Sequence, residues 1–202
     1  MDFQEALGKY FRLRGLVARG QIDKPRNRGR WALAHAMADM GFRSGVEIGT
    51  LYGDSAEIWC SVNPQLHLTC IDPYLEYRKR HGRRQQDAAF KATSKRLEPF
   101  HVTMLRKMSL AAVDGFKDGS LDFVHIDGDH SFDACVADLA VWVPKVRVGG
   151  LVLVHDYFSP NWQGVSQAVN AYVYAHRIDP WYVTPDVSIT AFWQRGAEKP
   201  VR

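Results

Sequence analysis

Apolar residues along the chain follow two rhythms that alternate. Phe3, Ala6, Leu7, Tyr10, Phe11 and Leu16 recur at helical spacing and predict a helix over residues 2–19. A loop from Gly20 to Arg30 leads into a second helix, Trp31 to Met40. Short apolar runs closed by glycine or proline then alternate with amphipathic stretches. Ser44 to Gly49 (SGVEIG) reads as the first strand, with a helix at about Asp54 to Ser61. His67 to Ile71 (HLTCI) is the second, stopped by Asp72-Pro73. A basic helical stretch, roughly Arg84 to Leu97, precedes the third strand at His101 to Leu105. Leu121 to Ile126 (LDFVHI) is the fourth, stopped by Asp127-Gly128, with a helix from Phe132 to Val143. Gly149-Gly150 opens the fifth, LVLVHDY, and a helix follows at about Val165 to Ala175. Trp181 to Thr184 and Ile189 to Gln194, separated by Pro185-Asp186, can pair as a hairpin.

Strands alternating with helices call for a parallel sheet covered on both faces, and the near-continuous apolar strands agree. A terminal antiparallel pair makes the sheet mixed. The 202 residues, 46% hydrophobic and 24% charged, suit one globular domain: a helical cap over 1–43 and a Rossmann-like core over 44–202. No apolar run approaches the ~20 residues of a membrane span. The start, MDFQEALGKYFRLRGLVARG, lacks an apolar signal core, so the expected location is cytoplasmic. Cys60, Cys70 and Cys135 are widely spaced among apolar residues, as buried reduced thiols are.

Charge adds a question rather than an answer. The net charge is +4, concentrated in Lys24 to Arg30 (KPRNRGR) and Arg78 to Arg84 (RKRHGRR). Such runs are ordinarily solvated loops; the alternative is an anionic substrate or a phosphate backbone.

Chemistry enters with the turn after the first strand, Glu47-x-Gly49-x-x-x-Gly53. In open α/β sheets ligands bind outside the carboxyl ends of the strands. Gly49 allows a sharp turn and a close ligand, Gly53 allows the next helix to start near the strand, and Asp54 or Ser55 can cap that helix. The pattern differs from the G-x-G-x-x-G of pyrophosphate binders. A carboxylate at Glu47 suits a ligand carrying an ammonium group. Asp72, ending the second strand, stands where a ribose diol is gripped in dinucleotide folds.

Together with Ile71-Asp72-Pro73, Asp122-Phe-Val-His-Ile-Asp-Gly-Asp-His130, Asp138, Gly149-Gly150 and His155-Asp156-Tyr157, this turn resembles the class I S-adenosylmethionine-dependent methyltransferases. Within them it is most similar to a subgroup with IDGDHS and HDY motifs, over roughly residues 44 to 175. The resemblance implies a three-layer α/β sandwich with a seven-stranded mixed sheet, its last strand antiparallel. It implies S-adenosylmethionine as cofactor, with Glu47, Gly49 and Gly53 flanking the methionine part, Asp72 the ribose, Ser109 the adenine, and Ser55 and Asp127 also at the cofactor.

The subgroup is also similar to metal-dependent sugar and phenol O-methyltransferases. That likeness implies Asp127, His155 and Asp156 as ligands of a divalent metal, Mg²⁺ or Mn²⁺, and His130 as general base beside Asp127. His155 departs from the pattern, which has a carboxylate there; an imidazole suits Mn, Fe or Zn better than Mg²⁺. His155 is also the competitor for the base, whereas His125, inside the fourth strand, reads as packed. The expected partner is a small-molecule hydroxyl acceptor, with nucleic acid and a homodimer left open. The N-terminal helices and segment 74–90, with Tyr74 and Tyr77, are the expected lid. Rival readings are a nicotinamide dehydrogenase, which lacks the phosphate-binding glycines, an RNA methyltransferase, and a nucleotide-binding module without catalysis.

Overall fold

The structure, a computed structural model, describes residues 1–11, 29–76, 82–159, 161, 163–184 and 189–196. Its elements follow the expected alternation: α1 (Phe3–Tyr10), α2 (Gly29–Asp39), β1 (Ser44–Ile48), α3 (Asp54–Val62), β2 (His67–Ile71), α4 (Arg83–Leu97) and β3 (Val102–Leu105). Then come α5 (Ser109–Ala112), β4 (Leu121–Ile126), α6 (Phe132–Trp142), β5 (Val146–Val154), α7 (Gln163–Ala175), β6 (Tyr182–Val183) and β7 (Ala191–Gln194).

One seven-stranded sheet orders them β3-β2-β1-β4-β5-β7-β6. The first five positions pair in parallel, and β7 runs antiparallel to both β5 and β6. This is the mixed sheet with a reversed last strand that the resemblance implied. The chain moves outward from β1 to β3 and returns to β4 beside β1. Strand order therefore reverses at the β1–β4 seam, in register from Gly45↔Phe123 to Ile48↔Ile126, which is where such sheets open a ligand crevice.

Strand periodicity sorts the core. Val46, Ile48, Val124, Ile126, Val152 and Val154 face one layer, where Leu139, Trp142 and Val169 come from α6 and α7. Leu68, Phe123, Leu151, Leu153 and Phe192 face the other, with Leu7, Leu33, Met37 and Trp59 from α1 to α3. Both faces are dry, so alternation in the sequence is apolar against apolar.

The N-terminal helices are part of this second layer. α1 is held by a capping box: Glu5 N–H donates to Asp2 at 2.8 Å and Asp2 N–H to Glu5 at 3.1 Å. Phe3, Leu7 and Phe11 are buried, and Lys9 and Tyr10 both reach Asp39 on α2, at 2.5 and 2.7 Å. The lid expected from these helices is therefore not what α1 and α2 form; their apolar faces are already spent on the sheet. The rest of the helix expected up to residue 19, most of the cluster Lys24 to Arg30, residues 78–81 of the second cluster, Tyr77 and Pro185-Asp186 lie outside the described residues.

The fifth strand starts earlier than its apolar run, at Val146. Pairing with β4 jumps from Leu121↔Val146 to Phe123↔Leu151, and Gly149 absorbs the irregularity at φ +83°. It stops at Val154, which releases His155 and Asp156 at the rim. Among the described residues no helix is long and apolar enough to cross a membrane.

Candidate functional site

The turn after β1 is built from backbone geometry. Gly49 has φ +83° and donates its N–H to the Ile71 carbonyl at 2.8 Å. A Cβ there would overlap the backbone of Asp127, so only glycine lets the turn pass this close to the end of β4. Leu51 sits at φ +40°, unusual for a branched residue. Its N–H donates to Asp72 Oδ2 at 2.9 Å, and its carbonyl accepts from Tyr74 Oη at 2.9 Å and Thr93 Oγ1 at 2.6 Å.

Asp72 thus braces the turn, because its other oxygen accepts from the Tyr74 N–H at 2.7 Å. Burial raises its carboxyl above the ordinary value, against the pull of those two N–H groups. Tyr74, expected to meet a substrate, is instead buried with its ring edge-on to Phe90. Its hydroxyl is spent on the turn. Gly53, at φ +76°, precedes α3 with no side-chain cap, so neither Asp54 nor Ser55 takes the capping role expected of them. Asp54 pairs with Arg96 at 2.5 Å, and Ser55 accepts from Arg30 Nη1 at 2.8 Å.

Glu47 is 1% exposed. Its Oε2 accepts from Trp59 Nε1 at 3.0 Å and lies 3.2 Å from His125 Nδ1, so one carboxylate oxygen is committed inside the layer. Ser109 Oγ donates to Asp138 Oδ1 at 2.5 Å and accepts from Trp142 Nε1 at 2.7 Å. That network ties the start of α5 to α6, and burial pushes the Asp138 carboxyl up to about 6.

Four side chains converge at the ends of β4 and β5. The strands bring them together: Asp127 N–H donates to the Ile48 carbonyl at 2.8 Å, and His155 N–H to that of Ile126 at 2.9 Å. Asp156 follows in the left-handed region at φ +55°. The loop from Asp127 folds back because Asp129 Oδ1 accepts from the Ser131 N–H at 2.7 Å while Ser131 caps α6. His130 Nε2 then lies 3.1 Å from Asp156 Oδ2 and 3.6 Å from Asp127 Oδ1. His155 Nδ1 lies 3.2 Å from Asp127 Oδ1 and 3.5 Å from Asp156 Oδ1.

The electrostatics follow from two carboxylates held close. Burial alone would lower the His130 imidazole, but the hydrogen bonds to Asp127 and Asp156 outweigh it and raise it to about 9. Burial would raise the Asp127 carboxyl, yet His130 and His155 hold it well below the usual range. His155 ends above its ordinary value through Asp127, also against its burial. One donor atom each from Asp127, His130 and Asp156 lies within 4.8 Å of the others, close enough to share one metal ion. His155, expected as a ligand, is 8% exposed, and its Nδ1 also lies within 3.5 Å of both carboxylates. His125 is fully buried, as expected of a packed residue, with its ring edge-on to that of His155.

Three contributors escaped the sequence. Trp59 fixes Glu47, Arg30 reaches Ser55, and Gly164 opens space for the His130 loop. A Cβ on Gly164 would lie 2.6 Å from the Phe132 nitrogen and 2.7 Å from the His130 carbonyl. No spacing rule links residues so far apart in the chain.

Comparison with known proteins agrees with this architecture. The O-methyltransferase TomG from Streptomyces achromogenes, solved with S-adenosylmethionine, superposes with a TM-score of 0.59 at 20% identity, covering 95% of this chain and 90% of that one. The O-methyltransferase NovP gives 0.62 at 18% identity over 87% and 85%. At these identities they show the fold. A 53-residue stretch, 26% of this chain, is 40% identical to the uncharacterized protein y4gI of Sinorhizobium fredii and spans 6% of its length. The family described as a methyltransferase domain matches residues 46–157, which run from β1 through the glycine turn to the His155-Asp156-Tyr157 rim. With more than half its length matched, this chain belongs to the methyltransferase-domain family.

Proposed function

We propose that this chain transfers the methyl group of S-adenosylmethionine to a hydroxyl oxygen of a small molecule, with a divalent metal held by Asp127, His130 and Asp156. The observation that carries this reading is the convergence of those three side chains at the rim of β4 and β5, beside the glycine turn. TomG and NovP, O-methyltransferases of the same fold, support oxygen as the acceptor atom.

The donor set fits a metal. Two carboxylates this close repel unless a cation lies between them. Two oxygens and one imidazole nitrogen suit Mn²⁺, Fe²⁺ or Zn²⁺ better than Mg²⁺. A bound ion would lower the pKa of an acceptor hydroxyl. The turn at Gly49 to Gly53, braced by Asp72, would hold the methionine and ribose parts over the ends of β1 and β2. Asp127 and Asp156 would orient the hydroxyl for in-line attack. The oxygen–carbon bond forms as the sulfur–carbon bond breaks, its electron pair stays on sulfur, and the hydroxyl proton passes to solvent water.

His130 belongs with the cation rather than as a free base. An imidazole whose proton is held by two carboxylates up to about pH 9 has no vacancy for a second proton at neutrality. His155, 3.2 Å from Asp127 and 3.5 Å from Asp156, supports both carboxylates. Buried thiols fit a reducing, cytoplasmic setting: desolvation pushes Cys60 and Cys135 up to about 12 and leaves both inert.

The test is methyl release from S-adenosylmethionine across sugars and phenols, with RNA as comparator, before and after chelation. Activity on a hydroxyl compound that falls on chelation and returns with Mn²⁺ is expected. Full turnover in exhaustively chelated protein removes the metal, and transfer to RNA alone removes the small-molecule acceptor.

A further inference from the structure

Arg30 belongs to a basic cluster that reads as solvated loop, yet the structure puts it elsewhere. It stands in the first turn of α2, half-buried, and its Nη1 donates 2.8 Å to the hydroxyl of Ser55. Ser55 is itself buried, two residues beyond Gly53, on the side of the glycine turn that faces the N-terminal layer. Three other half-buried cations have carboxylate partners: Arg96 pairs with Asp54 and Glu57, Arg147 with Asp122, Lys145 with Asp118. Among the described residues Arg30 has a neutral hydroxyl and no carboxylate.

One oxygen of the Glu47 carboxylate is taken by both Trp59 and His125. A guanidinium drawn partly out of water with only a neutral hydroxyl against it is stabilised by an anion brought to it. One nitrogen is committed to Ser55, which leaves the remaining N–H donors of the planar fork for a carboxylate.

We propose that Arg30 holds the methionine carboxylate of S-adenosylmethionine, with Ser55 fixing the guanidinium in place; this rests on the cofactor reading above. The carboxylate is the single anionic group of that cofactor. Arg30 therefore selects for the amino-acid end of the ligand, while the glycine turn and Asp72 serve its nucleoside end.

The test is calorimetry on the intact chain with two ligands that differ in this group alone, S-adenosylmethionine and its decarboxylated form. Arg30→Ala should weaken S-adenosylmethionine by about 10- to 100-fold, as loss of a charged hydrogen bond does, and leave the decarboxylated ligand within about twofold. Arg30→Lys, which keeps charge but loses the fork, should fall between, and Ser55→Ala should reproduce part of the loss. Circular dichroism melts of each variant report whether the fold is retained. If wild type binds S-adenosylmethionine and Arg30→Ala weakens both ligands equally, or neither, the assignment to Arg30 is wrong while the cofactor reading stands. If wild type binds neither ligand, the cofactor reading fails and the assignment with it.

Discussion

The Nε2 atom of His130 lies 3.1 Å from Oδ2 of Asp156, with all of α6 and β5 between them in the chain. The contact closes the ring of Asp127, His130 and Asp156. A proton on His130 stands between the two carboxylates.

That pairing predicts a titration. Asp156→Asn, which tolerates the left-handed backbone at residue 156, should bring the His130 pKa down from about 9 toward its ordinary value. Imidazole NMR of the metal-free protein reads this directly. A folded pKa raised above the unfolded one contributes stability that is full below about pH 6.5. The contribution is lost as pH rises through about 9. Wild-type stability should decline across that window, and the variant should decline less. An unchanged His130 titration in the variant would show that the two groups are not coupled.

Gly164 governs the same loop from the opposite side. Gly164→Ala should push residues 130–132 away, costing about 1–3 kcal/mol of stability as overpacking does. Turnover should fall by up to about 100-fold through misplacement of His130. Gly115→Ala, where an added Cβ meets nothing within 4 Å, is the matched control. Equal behaviour of the two variants in melts and assays would refute the steric account.

Asp138 is the buried acid that the site does not use. Its carboxyl is raised to about 6 by burial, with Asp129 adding to the rise and the Ser109 hydrogen bond opposing it. A raised carboxyl lends stability that is full below about pH 3.9 and lost as pH rises through about 6. Asp138→Asn keeps an acceptor for Ser109 and removes the buried charge. Its Tm relative to wild type should therefore be higher at pH 8 than at pH 4. A difference independent of pH would mean the carboxyl is not strained by burial.

Asp72 has a structural duty that a ribose contact alone would not give it. Asp72→Ala removes the acceptor of two backbone N–H groups, from Leu51 and Tyr74. It should cost about 1.5–3 kcal/mol of stability before any ligand is added, besides weakening S-adenosylhomocysteine. If denaturant unfolding of the ligand-free variant matches wild type, the bracing role is lost and only ligand contact remains.

Much of this was legible in the chain because its causes are local. Apolar runs closed by Gly49, Asp72-Pro73 and Asp127-Gly128 set the strands, and a sheet buried on both faces leaves no polar alternation to blur them. Asp127, His130 and Asp156 were readable as chemistry because each follows the carboxyl end of a strand, where backbone direction alone exposes side chains. What the sequence could not supply is which of these groups face one another. Both imidazoles come within 3.6 Å of both carboxylates, His130 because the Asp129–Ser131 turn and the space at Gly164 aim it there. His155 reaches the same pair from the point where β5 stops. Tyr74 looked available to a substrate and is buried, since Leu51 at φ +40° needs its hydroxyl. Arg30 looked like solvated charge and lies against Ser55, because α2 docks its first turn beside α3. Element identity is decided by residues a few positions apart. The partners of a side chain are decided by packing between distant segments, and only the tertiary structure contains it.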